Sequence, residues 1–176
     1  MTQEEDIKKA VDVLRKGGVI LYPTDTVWGI GCDATNVEAV KRVYDIKHRD
    51  DSKALICLVD SEARLQRYVR DVPDVAWELI DSVTKPTTLA EDGSVGLRIT
   101  KEKFSHDLCY RFQKPLVSTS ANISGEPAAQ NYCDISQELL DSVDYVCWTR
   151  RQEHLPHTPS SIIKLKKNGE ITIIRK

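Results

Sequence analysis

The sequence has no apolar run long enough to cross a membrane, no closely spaced cysteine pair and almost no net charge. Its longest apolar stretches, VILY and ALICLV, are far shorter than the ~20 residues that a membrane-spanning helix requires. The N-terminal MTQEEDIKKA is acidic, whereas a secretory signal begins with basic residues and continues with apolar ones. We therefore expect no membrane partner and a cytoplasmic location.

Cysteine chemistry is limited as well. The five cysteines are odd in number, widely spaced and without a Cys-x-x-Cys motif. This pattern argues against a disulfide framework and against a zinc knuckle, so we predict no protein metal site. Cys57 lies inside ALICLV, where its simplest role is that of a buried core thiol in a reducing compartment.

The familiar catalytic sets are also missing. There is no G-x-S-x-G elbow, no H-x-x-x-H pair and no P-loop. A net charge of −2 argues against a global field that attracts nucleic acid, so any such site must be a local cluster of lysine and arginine. The remaining polar groups are hydroxyls, amides and cations, which favour phosphate chemistry performed by positioning and charge neutralisation.

What is present is a chain of 176 residues, long enough for one domain with a core, and we expect a single domain over 1–176. Thr2 and Glu5 form a capping box for a first helix, and Asn36 is suited to cap a second. ALICLV reads as a central strand covered on both faces, and SIIKLKKNGEITII as a C-terminal hairpin. Strands and helices mix along the chain, which predicts an α/β domain with a mixed sheet.

Two polar segments follow predicted strands. YPTDTVWGIG is rich in hydroxyls and glycine, which suits close approach to a ligand, but taken alone it is better explained as a turn between a strand and a helix that satisfies its own backbone. STSANISGEP follows the strand PLVST, at a position where α/β sheets often bind ligands. A polar loop that caps the next element is the alternative.

A cationic segment, DIKHRDDSK, follows the second predicted helix. Lys47 and Arg49 would hold phosphates well, since arginine offers a bidentate fork and lysine a point charge. Cations at the end of a helix are also explained by the helix dipole alone. Lys53 follows closely, and the later TPSSII adds two serines at the start of a strand.

Taken in order, four segments resemble the YrdC-like family of threonylcarbamoyl-adenylate synthases: GGVILYPTDTVWGIGCDATNVEAVKRVYDIKHR, VGLRI, PLVSTSANISGEP and PSSII. The resemblance covers nearly the whole chain, and we expect the chain to lack the C-terminal domain of longer relatives. It implies a twisted α/β domain, a mixed sheet flanked by helices, with a large concave ligand cavity.

The resemblance also implies an activity. A nucleotidyltransferase of this kind converts ATP, L-threonine and bicarbonate, with Mg²⁺, into threonylcarbamoyl-AMP and pyrophosphate. The product serves tRNA threonylcarbamoyladenosine modification, so the implied partners include the downstream tRNA threonylcarbamoyl-transferase proteins and tRNA or double-stranded RNA.

By position, the resemblance assigns roles to nine residues. Lys47 and Arg49 would be catalytic. L-threonine would be bound by Thr26, Arg98 and Ser118. ATP would be bound by Lys47, Arg49, Lys53, Ser120, Asn122 and Ser160.

Three positions differ from the family pattern. Leu58 stands where the family usually has a histidine facing threonine, TKPTTLA replaces a Pro-Gly-rich segment, and Ala128 replaces a small hydroxyl residue. Two alternatives follow from these differences. One is an RNA-binding relative without synthase activity, and the other is a paralogue that uses another carbamoyl or acyl substrate.

Overall fold

The computed structural model describes six segments of the chain, residues 1–48, 55–69, 87–90, 96–154, 161–165 and 171–175. In the three segments shorter than ten residues, the backbone alone is described. The helix predicted at DVAWELIDSV and the turn predicted at KNG lie outside the described residues.

The first helix, α1 (Gln3–Arg15), begins at the predicted capping box. The Thr2 hydroxyl accepts a hydrogen bond from the Glu5 amide at 3.2 Å, and the Glu5 carboxylate accepts one from the Thr2 amide at 2.8 Å. The helix ends before Gly17, whose φ of +80° suits glycine. Its apolar residues recur at helical spacing and are buried: Ile7, Ala10, Val11 and Leu14.

Four further helices begin at side chains that accept hydrogen bonds from first-turn amides. They are α2 (Val37–Ile46), capped by Asn36; α3 (Glu62–Gln66), capped by Ser61; α4 (Lys103–Phe112), capped by Glu102; and α5 (Gln137–Ser142), capped by Ser136. The predicted caps Asn36 and Ser61 are confirmed. Helix α3 is shorter than the predicted EARLQRYV.

The described residues contain nine strands that form one mixed sheet. In chain order they are β1 (Ile20–Tyr22), β2 (Gly29–Gly31), β3 (Ile56–Val59), β4 (Thr87–Ala90), β5 (Gly96–Ile99), β6 (Leu116–Ser120), β7 (Tyr145–Val146), β8 (Ser161–Leu165) and β9 (Ile171–Arg175). Their order across the sheet is β7-β1-β2-β6-β3-β5-β4-β8-β9. The C-terminal pair β8–β9 is antiparallel, as the sequence predicts.

Strand β3 lies in the middle of the sheet and is covered on both faces, as predicted for ALICLV. Cys57 faces an apolar cluster that includes Val43 of α2 and Leu65 of α3. Leu58 faces a second cluster, built with α1 and α4. Burial raises the pKa of the Cys57 thiol to about 12, which fits the predicted role of a core thiol.

Two strands depart from the sequence interpretation. The glycines of WGIG form β2, antiparallel to β1, and do not belong to a turn. Side chains alternate between the two faces of a strand, and here Trp28, Ile30 and Cys32 pack into the core while the glycines lie on the opposite face of the sheet. A side chain on Gly31 would come within 2.7 Å of Cε1 of the Tyr22 ring. Strand β4 also lies within TKPTTLA, where no strand was predicted.

No helix within the described residues is long and apolar enough to span a bilayer.

Asp6 of α1 anchors the segment that follows β7. Its residue surface is fully buried, and its carboxylate accepts hydrogen bonds from the Tyr145 hydroxyl at 2.6 Å and from the Trp148 amide at 3.0 Å. The amide and hydroxyl of Thr149 donate to it at 2.7 and 2.6 Å. Burial alone would raise the pKa of Asp6, but hydrogen bonds from Thr149, Tyr145 and Trp148 outweigh it and lower the pKa.

We predict that Asp6→Asn lowers the free energy of unfolding by about 1–3 kcal/mol at neutral pH. The amide nitrogen of asparagine replaces one carboxylate oxygen, so some of the groups that donate to Asp6 lose their acceptor. A lowered folded-state pKa stabilises the fold above the ordinary value of 3.8, and this contribution is lost as the pH falls through the folded-state value. The gap between wild type and variant should therefore narrow in acid. Urea unfolding at a series of pH values measures the difference in free energy of unfolding between the two proteins.

The control is Asp12→Asn, on the exposed face of the same helix. It should change the free energy of unfolding by no more than about 0.5 kcal/mol. Equal effects of the two substitutions would contradict the anchoring role of Asp6.

Candidate functional site

The TDT segment between β1 and β2 is a buried, internally bonded turn. The Thr24 hydroxyl donates to the Val27 carbonyl at 2.8 Å and accepts from the Thr26 amide at 3.0 Å. The hydroxyls of Thr24 and Thr26 lie 3.0 Å apart. Thr24 therefore plays the local role expected of a turn residue, and it fixes the position of the predicted ligand-binding hydroxyl of Thr26.

Gly29 brings this turn against the end of β6. Gly29 pairs with Ser120 in the antiparallel ladder. A side chain on Gly29 would lie 3.4 Å from Cγ2 of Thr24 and 3.5 Å from Oγ of Ser118. Because Gly29 has no side chain, these two hydroxyl residues approach each other across the sheet surface.

Arg98 reaches the same face from β5. Ser118 pairs with Ile56 of β3, and Leu58 of β3 pairs with Arg98. Since cross-strand partners and residues two apart share a face, the side chains of Ser118 and Arg98 project from one side of three adjacent strands. The structure therefore brings together the predicted threonine-binding residues Thr26, Arg98 and Ser118.

Arg98 forms a buried ion pair with Asp25, which lies between the two threonines. Nη2 of Arg98 is 3.0 Å from Oδ1 of Asp25, and the two side chains are 5% and 17% exposed. The two atoms are in ionic contact but are not aligned as a hydrogen bond. Burial raises the pKa of the Asp25 carboxyl, although Arg98 opposes the shift.

Three buried polar atoms around this pair have no hydrogen-bond partner among the described residues. They are Nε of Arg98, Oδ1 of Asp25 and the hydroxyl of Tyr22. The Tyr22 hydroxyl neighbours Ser118 without an aligned hydrogen bond, and burial raises its pKa well above the ordinary value. Buried polar groups are normally paired, so unpaired groups concentrated at one place indicate a site for a polar ligand.

Lys47 holds the loop after β6. It follows α2 directly and is 2% exposed. Its Nζ donates to the carbonyls of Ser120 and Asn122, each at 2.6 Å, and its own carbonyl accepts from the Ser124 amide at 2.9 Å. The first cation of the Lys-x-Arg segment is thus joined to the Ser-x-Asn segment that was predicted to bind ATP.

Asn122 orders the same loop from within. Its Nδ2 donates to the carbonyls of Ile123 at 3.0 Å and Glu126 at 2.6 Å. Its Oδ1 is buried and has no hydrogen-bond partner among the described residues. Lys47, Ser120 and Asn122 therefore lie together, whereas Arg49, Lys53 and Ser160 lie outside the described residues.

The sequence interpretation missed two members of this arrangement. Asp25 stands inside the quoted motif, and an acidic residue between two threonines could have drawn attention to it. Arg150 has no local signal, because it lies 126 residues from its partner. Its Nη1 donates to the Thr24 carbonyl at 2.7 Å, and the same atom is 3.8 Å from the Glu102 carboxylate.

Leu58 contributes no exposed surface to this site. It is fully buried in the cluster formed with α1 and α4. An open cleft of about 760 Å³ lies elsewhere, beyond the carboxyl ends of β3 and β5, where Asp60, Thr100 and His106 are among its lining residues. None of the predicted site residues lines that cleft, and the predicted large concave cavity stays a prediction.

Comparison with known proteins identifies the family. A family model named Sua5/YciO/YrdC and described as telomere recombination matches residues 12–176. A protein of Pseudoalteromonas translucida named threonylcarbamoyl-AMP synthase is 32% identical, over 97% of this chain and 98% of its own.

Solved structures confirm the predicted α/β fold. The crystal structure of Escherichia coli YciO superimposes with a TM-score of 0.84 at 23% identity, over 99% of this chain and 90% of its own. Pyrococcus abyssi Sua5, complexed with L-threonine, superimposes with a TM-score of 0.84 at 22% identity. That alignment covers 99% of this chain and 54% of the Sua5 chain, so this chain spans about half of it. The family model and the sequence match show that the chain belongs to the Sua5/YciO/YrdC family.

Proposed function

We propose that the chain is a threonylcarbamoyl-AMP synthase, which forms threonylcarbamoyl-AMP and pyrophosphate from L-threonine, bicarbonate and ATP. The observation that carries the proposal is the relative of that name, which is similar over almost the full length of both chains. The convergence of Thr26, Arg98 and Ser118 on one sheet face supports it. The fold shared with an L-threonine complex of Sua5 is consistent with an amino-acid site there.

The proposed roles follow from charge and position. The Arg98 guanidinium would bind the threonine carboxylate, since its planar donors match two carboxylate oxygens. The Thr26 hydroxyl and the segment around Ser118 would contact the rest of the amino acid. Ser120, Asn122, Arg49, Lys53 and Ser160 would bind ATP in the neighbouring part of the site. Lys47 would act near the phosphates and hold the loop that carries two of these residues.

The reaction joins two anions. The threonine nitrogen takes up the carbon of bicarbonate with loss of water, which gives a carbamate. A carbamate oxygen then attacks the α-phosphorus of ATP, the bond from that phosphorus to the bridging oxygen breaks, and pyrophosphate leaves. Cations that neutralise these groups lower the barrier, which is why Lys47, Arg49 and Lys53 are suited to the catalytic role.

Magnesium would enter with ATP as part of the substrate. No group of three or more histidine, cysteine, aspartate or glutamate side chains suited to a metal occurs in the described part of the chain. Mg²⁺ keeps several water ligands and is commonly held by substrate phosphates with few protein ligands, which is why it is proposed to enter with ATP. When bound, it would neutralise charge on the phosphates and on the leaving pyrophosphate.

The biological setting is proposed with the activity. The product carries an activated threonylcarbamoyl group, so a transferase that places this group on a tRNA adenosine would consume it. Direct contact with tRNA or double-stranded RNA and a cytoplasmic location belong to the same proposal.

We predict that the purified chain releases pyrophosphate and forms threonylcarbamoyl-AMP when incubated with MgATP, L-threonine and bicarbonate. Pyrophosphate is measured by a coupled assay and the adenylate by mass spectrometry. Omission of threonine or of bicarbonate should abolish both signals. Absence of product, where a relative named threonylcarbamoyl-AMP synthase is active in the same buffer, would overturn the proposal.

The same assay separates the two alternatives. A panel of amino acids tests the use of another carbamoyl or acyl substrate, and threonine should stand out from the others. An inactive chain that binds double-stranded RNA with a steep salt dependence would instead indicate the RNA-binding relative.

We predict that Lys47→Met lowers kcat/KM by about 100-fold or more, because it removes a cation and two hydrogen bonds that hold the loop. The free energy of unfolding should fall by about 1–3 kcal/mol, since the Ser120 and Asn122 carbonyls lose a buried donor. Steady-state kinetics and urea unfolding measure the two effects.

Lys114→Met is the matched control. Lys114 also donates a short hydrogen bond, at 2.6 Å to the carboxylate of Asp33, but it lies away from the site. It should lose stability with little change in kcat/KM. If both substitutions leave turnover unchanged, Lys47 has no role in the reaction.

A further inference from the structure

The buried pair of Asp25 and Arg98 is left with one unused donor and one unused acceptor. Nε of Arg98 is a buried N–H that donates to nothing among the described residues. Oδ1 of Asp25 is a buried acceptor that touches Nη2 of Arg98 at 3.0 Å without an aligned hydrogen bond. Each buried polar atom that remains without a partner normally destabilises the folded protein by about 1–3 kcal/mol. A ligand that supplies both an acceptor and a donor would satisfy the pair.

The surroundings limit which ligand that is. Asp25 is fixed between Thr24 and Thr26. The Thr24 hydroxyl accepts a hydrogen bond from the Thr26 amide and shares another with the Thr26 hydroxyl. Arg150 adds one positive charge nearby, 3.8 Å from the Glu102 carboxylate, and it is also paired with Glu153, so two carboxylates face one guanidinium around the buried pair. A ligand with a single net charge would leave one charge of the buried pair uncompensated, which is costly in a desolvated site. A zwitterion, which carries one charge of each sign, would compensate both charges of the pair.

We infer that Asp25 is the amino-group receptor of the site: its carboxylate accepts an N–H from the α-ammonium of a free amino acid whose carboxylate is held by Arg98. This inference rests on the proposed function and deepens it, because it assigns the second charged group of the amino acid to a residue of this chain. Arg98 binds the carboxylate of the ligand. Asp25 binds its ammonium group and so distinguishes an amino acid from a carboxylic acid without an amine.

The charge state of Asp25 agrees with this role. Burial raises the pKa of its carboxyl, and Arg98 compensates in part. An ammonium donor next to Oδ1 would supply the missing compensation and favour the ionised carboxylate. The site would thus select the amino acid before its nitrogen is carboxylated, since a carbamate carries negative charge where the ammonium was.

The test compares two ligands on three forms of the full chain. L-Threonine and the β-hydroxybutyrate of matching configuration differ by the α-amino group. Both are titrated by calorimetry into the wild type, Asp25→Asn and Asp25→Glu, with a non-hydrolysable ATP analogue present. The wild type should prefer threonine by about 10- to 100-fold, the range expected for a hydrogen bond between charged groups.

Asp25→Asn should bring the two affinities within about threefold of each other, because an amide carries no charge for the ammonium. Asp25→Glu should restore part of the preference, which a merely structural role would not require. Asp33→Asn is the control for the loss of a buried carboxylate: the Asp33 side chain is 6% exposed and lies 2.6 Å from Nζ of Lys114, whose own side chain is 48% exposed. That variant should keep the full preference.

The outcomes separate the inference from the proposed function. An active wild type whose Asp25→Asn variant stays folded and keeps the preference for threonine overturns the inference alone. A different α-amino acid as the ligand, with its preference lost in Asp25→Asn, supports the inference and overturns the proposed function. A wild type that binds no α-amino acid and releases no pyrophosphate overturns both. If Asp25→Asn does not fold, Asp25→Ser takes its place, and loss of the preference in that variant supports the inference while full retention overturns it.

Discussion

The arrangement of the site depends on the pairing of strand β6 with β2 on one side and β3 on the other. This double pairing joins segments that are far apart in the chain, because Ser120 lies beside Gly29 and Ser118 beside Ile56. Strand β5 extends the same row and adds Arg98 through its neighbour Leu58. The register decides which face each side chain occupies, and a shift by one residue would turn Ser118 and Arg98 to the opposite side.

Two kinds of polar group occur around these strands, and they have different roles. Lys47 and Asn122 use nearly all their donors on loop carbonyls, which fixes the loop after β6. Asp25 and Arg98 keep buried atoms unpaired. The first kind is typical of a support that holds a loop in one conformation, and the second is typical of a surface that completes its hydrogen bonds with a ligand. The predicted nucleotide and amino-acid parts of the site thus differ in how fully the protein satisfies them.

Much of the fold could be predicted from local pattern. The capping box of α1, the Asn36 and Ser61 caps and the doubly covered strand ALICLV follow from residue type and spacing, and each is confirmed. For the segment that contains the glycines of WGIG, the sequence left a turn as one interpretation and close approach to a ligand as the other. In the structure these glycines belong to a strand, because a close packing partner, the Tyr22 ring, needs the space that a side chain would occupy. Packing overrode local preference there.

The sequence by itself determined which residues could form the site: its motifs identify Thr26, Lys47, Arg98, Ser118, Ser120 and Asn122 as candidates, and their order carries the family resemblance. It could not determine that Lys47 donates to the Ser120 and Asn122 carbonyls, or that Asp25 pairs with Arg98 while Arg150 holds the Thr24 carbonyl. Those contacts join residues separated by 73 to 126 positions, and they depend on strand register and burial. Both are properties of the packed sheet, so only the tertiary structure decided them.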